Sequence, residues 1–369
     1  MEDALAERLS RVSKFDLPSI PCSIPLECHP EFTRISEVTD AWAIRMLGIT
    51  DPYERKKAIQ ARFGLLTALA TPRGESSKLE VASKHFWTFF VLDDIAETDF
   101  GEEEGQKAAD ILLEVAEGSY VFSEKEKQKN PSYAMFEEVM SSFRSLMDPP
   151  LFARYMTCLK NFLDSVVEEA SLRFARSIPS LEKYQLLRRE TVFVEASGGI
   201  MCEFCMDLKL DKGVVESPEF VAFVKAVVDH AALVNDLLSF RYELKIKCFH
   251  NYLCVIFFHS PDNASFQETV DKVCKMIQET EAEILQLQKK VMKMGVETGN
   301  KDLVEYATWY PCFASGHLRW SYVTGRYHGL DNPLLNGEPF HGTWFLHPEV
   351  TLMLPFGAKC GDHPWIARS

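Results

Sequence analysis

From about Ile35 onward, apolar residues recur at three- and four-residue spacing through one helix-length segment after another. The runs ISEVTDAWAIRML, KLEVASKHFWTFFVLDDIAE, KAADILLEVAEG, SYAMFEEVMSSFRSL, ARYMTCLKNFLDSVVEEASLRFA, EFVAFVKAVVDHAALVNDLLSFRYELK and SFQETVDKVCKMIQETEAEILQLQKKVMKM all carry this spacing. It is what a helix needs to turn one stripe toward a core. Short polar breaks separate them: TPRGESS, EKEKQKNPS, RSIPSLE, KLDKGVVESPE and HSPDNAS. Few runs alternate as strands do, strands and helices do not alternate, and no repeat is visible, so the pattern predicts an all-α fold in one large domain. Residues 1–34 form a separate segment, because FDLPSIPCSIPLECHPEF is too rich in proline to be helical throughout and reads as extended over the surface. Residues 35–330 make the helical domain. Residues 331–369, rich in Gly, Pro and His, read as a C-terminal tail that can pack onto it through Trp344, Phe345 and Trp365.

Of the 369 residues, 46% are hydrophobic and 12% aromatic, enough for a large core or for the wall of an apolar pocket. A formal net charge of -14 disfavours nucleic acid and anionic membrane as partners, so an anionic ligand needs a local cationic or metal site. No apolar run reaches membrane-spanning length, and MEDALAERLSRVSKFD lacks the apolar core of a signal peptide, which predicts a cytoplasmic protein without stable membrane insertion. Of the 10 cysteines, Cys202 and Cys205 form the close pair; a zinc site would need a second pair, so reduced core thiols are expected.

Two stretches carry candidate chemistry. In FWTFFVLDDIAETDF, Asp93 and Glu97 share a helix face one turn apart, with Asp94 about 100° round. Carboxylates so close repel unless a cation meets them, and an oxygen-rich cluster suits Mg²⁺; the plain alternative is a helix end running into an acidic surface. In VNDLLSFRYELK, Asn235, Ser239 and Glu243 follow one another at four-residue steps and stay within roughly an 80° sector. Three such oxygens with a single negative charge can hold Mg²⁺ whose other ligands are water or diphosphate. Tolerated polar residues in a buried helix would give the same pattern.

Together with YQLLRRET and WSYVTGRY, the stretches DDIAE and NDLLSFRYE occur in an order and spacing that resembles the class I terpene cyclases, over roughly Ile35 to Tyr327. The correspondences are the aspartate-rich motif, the NSE motif, the diphosphate-sensing arginine and the terminal Arg-Tyr dyad with the tryptophan before it. The resemblance implies a single-domain class I terpenoid synthase bundle with a central active-site cavity. It implies Mg²⁺, three ions and no other cofactor, held by Asp93 with Asp94 and Glu97 in support on one wall, and by Asn235, Ser239 and Glu243 on the other. Arg189, which stands 46 positions before Asn235, would then donate to the diphosphate together with Arg326 and Tyr327. Trp87, Phe90 and Trp320 match positions that line the substrate pocket, and Phe193 matches the residue whose backbone carbonyl faces the substrate. One departure stands out: the lysine that many relatives carry just before the NSE glutamate is Tyr242 here, with Arg241 and Lys245 as the neighbouring cations.

The implied reaction is Mg²⁺-dependent ionisation and cyclisation of a linear prenyl diphosphate, farnesyl diphosphate by the size of the domain, to a sesquiterpene hydrocarbon or alcohol plus diphosphate. The enzyme would be a carbon–oxygen lyase of secondary metabolism, nearest in general look to fungal members, with a homodimer left open. The alternatives are a diterpene cyclase on geranylgeranyl diphosphate, an isoprenyl diphosphate synthase, or a non-catalytic helical scaffold. A synthase would carry a second aspartate-rich motif, a protonation-initiated cyclase a DxDD motif, and a decayed scaffold would have little reason to keep every metal-ligating oxygen.

Overall fold

The computed structural model describes residues 1–96, 102–330 and 342–345. Its centre is the helix Pro218–Lys245, which carries Asn235, Ser239 and Glu243. Ser217 starts it by accepting the Phe220 amide hydrogen, and Pro218 presets the first turn. Phe223, Val227, Ala231, Val234, Leu237 and Phe240 are all fully buried, so the helix is covered on every side instead of presenting one stripe. It packs against Phe266–Thr298 and Cys312–Val323. The helix Ser76–Ala96, which ends on Asp93 and Asp94, packs against Phe32–Met46, Phe63–Ala70 and Pro131–Leu146. Leu181–Thr191 bridges Pro149–Phe174 and the central helix. The architecture is the all-α bundle that the periodicity predicts.

Three local features position the site. After Thr191 the chain leaves the α-helical path: Phe193 takes a left-handed conformation (φ 54), and Glu195–Ile200 forms a wide π-helical turn. At Gly198 a Cβ would lie 2.7 Å from the ring of Phe313, so this close approach requires glycine. Arg62, also left-handed (φ 56), breaks the chain between Pro52–Gln60 and Phe63–Ala70. The Ala61 carbonyl there accepts from both Trp320 Nε1 (2.9 Å) and Thr324 Oγ1 (2.9 Å). Thr324 in turn caps the short helix Gly325–His328 by accepting the Arg326 amide hydrogen, which sets the Arg326–Tyr327 turn on the end of the bundle.

The N-terminal segment differs from its sequence-based expectation. It is not laid over the surface: a helix Glu2–Ser10 and a strand β1, Lys14–Leu17, send Leu5, Leu9, Phe15 and Leu17, followed by Ile20 and Ile24, into the common core. Apolar side chains at alternate strand positions made that burial favourable. β1 pairs antiparallel with β2, Gly342–Phe345, from the tail, with Phe15 opposite Trp344. Trp344 is buried as expected, while Trp365 lies outside the described residues. Cys202 and Cys205 are buried free thiols. Among the described residues no helix is long and apolar enough to cross a membrane.

One buried carboxyl gives the fold a pH signature. Asp40 accepts from Trp87 Nε1 at 3.1 Å, and its burial pushes its pKa up to about 7, which the hydrogen bond only partly offsets. The folded state then holds a proton that the unfolded chain releases near pH 4, so this group lowers stability as pH rises from about 4 to about 7. Asp40→Asn keeps the acceptor and removes the charge. Its stability relative to the parent chain should be near zero at pH 4 and rise to a gain of roughly 2 to 4 kcal/mol at pH 8 in chemical denaturation.

Candidate active site

Two connected cavities open at one end of the bundle. The polar one has about 540 Å³ of empty space measured to its opening, and Asp93, Arg188, Asn235, Glu243, Arg326 and Tyr327 are on its wall. The aromatic one, about 620 Å³ of empty space measured to its opening, is lined by Phe86, Phe89, Phe162, Phe193 and Phe313 with Leu66 and His317. Phe90, Asp93, Arg188, Thr191 and Asn235 belong to both and form the boundary between them.

The polar wall is wired together. Tyr327 OH accepts from Asn235 Nδ2 at 2.7 Å, and Asn235 Oδ1 accepts from Arg188 Nη2 at 2.7 Å. Ser239 Oγ donates to Glu243 Oε1 at 2.5 Å, and Asn251 Nδ2 donates to Glu243 Oε2 at 2.8 Å. Arg188 Nε donates to the buried Asp236 carboxylate at 2.9 Å, which also accepts from Tyr184 OH and the Tyr252 amide, both at 2.7 Å. Across the mouth Arg326 makes a two-pronged pair with Asp94 (2.6 and 3.0 Å), with Asp93 Oδ2 a further 3.8 Å away. The Arg326 guanidinium also lies over the rings of Phe90 (5.1 Å) and Tyr242 (5.4 Å).

Several residues predicted to act here do so differently, or stand elsewhere. Arg189 is turned away: its Nε and Nη2 pair with Asp229 at 2.7 and 3.0 Å, and Arg188 occupies the place expected of it. The 46-residue spacing selects the arginine that points away from the cavity, because neighbouring helical residues differ by about 100° in direction. Helical phase is the signal that could have found the right one, since Arg188 lies one turn beyond Tyr184 and both reach Asp236. Asp94 is buried, and both of its carboxylate oxygens are engaged by Arg326. Glu97 lies outside the described residues.

Trp87 and Trp320 are fully buried, line neither cavity and spend their indole N–H groups on Asp40 and Ala61, backing Phe63 and Phe90 from behind. Phe90 does line both cavities. Phe193 contributes its ring and not its carbonyl, which accepts the Ser197 amide hydrogen at 3.0 Å. Glu169, Arg173 and His250, on the polar wall, carried no sequence signal because they belong to no spaced pattern.

The oxygens present fit a hard divalent cation. Glu243, Ser239 and Asn235 gather on one helix, and Asp93 faces the same mouth with its side chain 45% exposed. Burial pushes the Glu243 carboxyl up to about 8, helped by nearby Asp236, and that of Asp93 up to about 6 against the pull of Arg326. Both are carboxylates that a bound cation would stabilise. Among the described residues no group of three or more His, Cys, Asp or Glu converges, while the Asn235 amide and Ser239 hydroxyl stand on the same helix as Glu243.

An oxygen-lined, arginine-flanked mouth over an aromatic chamber, inside a helical bundle, is the arrangement of a class I terpene synthase. Residues 84–283 match the family model described as "Terpene synthase family 2, C-terminal metal binding", and the chain belongs to that family of metal-binding carbon–oxygen lyases. It is 81% identical to (E)-2-epi-beta-caryophyllene synthase of Selaginella moellendorffii, over 99% of this chain and 100% of that one. It is 43% identical to (3S,6E)-nerolidol synthase of the same organism, over 94% and 93%. The bundle superposes on germacradien-4-ol synthase from Streptomyces citricolor with a TM-score of 0.69 at 18% identity, covering 82% of this chain and 98% of that one, a likeness of fold. The fungal affinity read from the sequence is corrected by these matches, since both close relatives are from Selaginella.

The two neighbouring arginines give opposite expectations. Arg188→Lys keeps a charge but loses the fork that reaches Asn235 and Asp236 together, so Mg²⁺-dependent binding of inorganic diphosphate, measured by isothermal titration, should weaken at least about tenfold. Arg189→Ala should leave that affinity unchanged and lower thermal stability slightly, by about 1 kcal/mol for a partly exposed pair.

Proposed function

We propose that the chain ionises and cyclises farnesyl diphosphate to a sesquiterpene, with Asp93 on one wall and Asn235, Ser239 and Glu243 on the other holding Mg²⁺, three ions in all. The observation that carries this reading is the junction of the two cavities, where groups suited to a diphosphate meet a chamber suited to a hydrocarbon. Both close relatives are named for fifteen-carbon products, which supports farnesyl diphosphate over the twenty-carbon substrate. The catalytic unit would span residues 35–330.

Bound magnesium supplies the positive charge that a departing diphosphate requires. The chain's own part is to orient and to shield. Arg188 and Tyr327, joined through Asn235, present donors on one side of the diphosphate, and Arg326 presents its guanidinium from the other, held flat by Phe90, Tyr242 and Asp94. Arginine forks match phosphate oxygens in geometry as well as charge. Tyr242 stands where many relatives carry lysine; its ring supports Arg326, which a second cation at that place would repel. The allylic cation left behind meets the rings of Phe86, Phe89, Phe90, Phe162 and Phe193, each face worth about 0.5 to 2 kcal/mol to a cation and all of them barriers to water.

Incubation with ten-, fifteen- and twenty-carbon prenyl diphosphates, followed by gas chromatography and diphosphate assay, tests the reading. Farnesyl diphosphate with Mg²⁺ should give a C15 product, chelation of the metal should stop it, and Asp93→Ala, Asn235→Ala or Glu243→Ala should each cut turnover at least about a hundredfold while circular dichroism stays helical. No metal-dependent diphosphate release from the fifteen-carbon substrate, or full turnover in those variants, would refute it.

A further inference from the structure

The aromatic chamber is apolar except for Ser197 and His317, if the groups at its boundary with the polar cavity are set aside. His317 projects from the helix Cys312–Val323 with only 4% of its surface exposed, and its Nδ1 is buried without a hydrogen-bond partner. Its ring stacks on Phe313 (5.9 Å, 9° between planes) and tilts against Trp320 (5.8 Å), so its orientation is fixed by packing on two aromatic neighbours. A buried imidazole left without its hydrogen bond costs stability, and such a group in a native core calls for a reason. His85 and His230 are likewise buried with neither nitrogen partnered, but neither lines the chamber. His317 differs from them in facing the space where the hydrocarbon would lie.

We infer that His317 accepts the proton whose loss ends the reaction as a hydrocarbon. A C–H bond on the carbon next to the terminal carbocation breaks, its electron pair becomes the second bond of a new C=C, and the proton moves to a ring nitrogen of His317. The imidazolium loses that proton to solvent once the product leaves. Burial, with His230 and Arg188 nearby, holds the ring pKa down at about 3, so it is neutral when the cation forms. Weak basicity is no obstacle, because a proton beside a carbocation passes to any base that reaches it; position decides. Ser197 offers only a hydroxyl, and the Thr191 hydroxyl already accepts from Arg188 at 3.4 Å. The inference rests on the proposed sesquiterpene reading and adds that the product is an olefin.

Products and diphosphate are measured together for the parent chain, His317→Phe and His317→Asn with farnesyl diphosphate and Mg²⁺. In both variants the parent hydrocarbon should fall at least about tenfold as a share of total product, replaced by alcohols and isomeric olefins, a far larger change than in diphosphate release. In His317→Ala, added imidazole should restore the parent hydrocarbon, whereas pyrrole, a ring of the same size without a basic nitrogen, should not. An unchanged product share in the Phe and Asn variants would overturn the inference and leave diphosphate as the acceptor. So would restoration by pyrrole as well as imidazole, restoration by neither, or an alcohol as the sole product of the parent chain. A parent chain that releases no diphosphate from this substrate refutes the proposed function as a whole, an outcome distinct from all of these.

Discussion

The ion pair between Arg188 and Asp236 is the constraint on which the rest of the site depends. Asp236 is buried and Arg188 largely so, and such a pair returns its desolvation cost only when every remaining donor and acceptor is met. Here the Asp236 carboxylate receives Arg188, Tyr184 OH and the Tyr252 amide, and the Asp236 carbonyl receives Asn251 Nδ2. Two further segments, the helix Leu181–Thr191 and the start of Tyr252–Phe258, are thereby fixed to the central helix at one residue. Asn251 then reaches on to Glu243, and Arg188 to Asn235, so the oxygens facing the mouth are positioned by groups that do not themselves face it.

The same economy governs the opposite wall. Arg326 is buried between two rings and neutralised by Asp94, an arrangement that keeps a guanidinium at the edge of an apolar chamber without exposing it to water. Two adjacent aspartates therefore divide the work by direction alone: Asp94 points inward to the arginine, and Asp93 remains partly exposed at the opening. The cavity pair follows from this division. Charges collect at the boundary, where each has a partner, and the space behind them is left to aromatic faces and one imidazole.

The bundle was legible in the sequence because a helix that buries a stripe must repeat every three or four residues, and long helices repeat it many times. The Asn235–Ser239–Glu243 face was legible for the same reason. Arg188 was missed because a one-residue difference in spacing, trivial along the chain, rotates a side chain from the cavity to the Asp229 pair. Trp87 and Trp320 match pocket-lining positions by the family resemblance, but their N–H groups need acceptors, and they find them in Asp40 and the Ala61 carbonyl. Phe193 was legible as a site residue but its left-handed backbone was not, because that conformation at a phenylalanine is set by the surrounding packing, not by its own preference. β1 and β2 are only four residues each and pair across nearly the whole chain, a contact that no local pattern announces.

That strand pair ties the ends of the protein to the site. Trp344 on β2 packs against Phe15 (5.6 Å), against the ring of His328 (5.7 Å) and under the guanidinium of Arg241 (5.5 Å). His328 follows Tyr327 directly, and Arg241 precedes Glu243 by two residues. One tail tryptophan thus braces the backbone next to Tyr327 and next to Glu243. It also accounts for Arg241, whose charge is directed to this ring, away from Tyr242. Short strands contribute little alone, but here β1 is already anchored by Phe15 and Leu17 in the core. The pairing therefore adds order to a tail segment at small cost in chain entropy, and places it where the helix ends that carry the chemistry would otherwise fray.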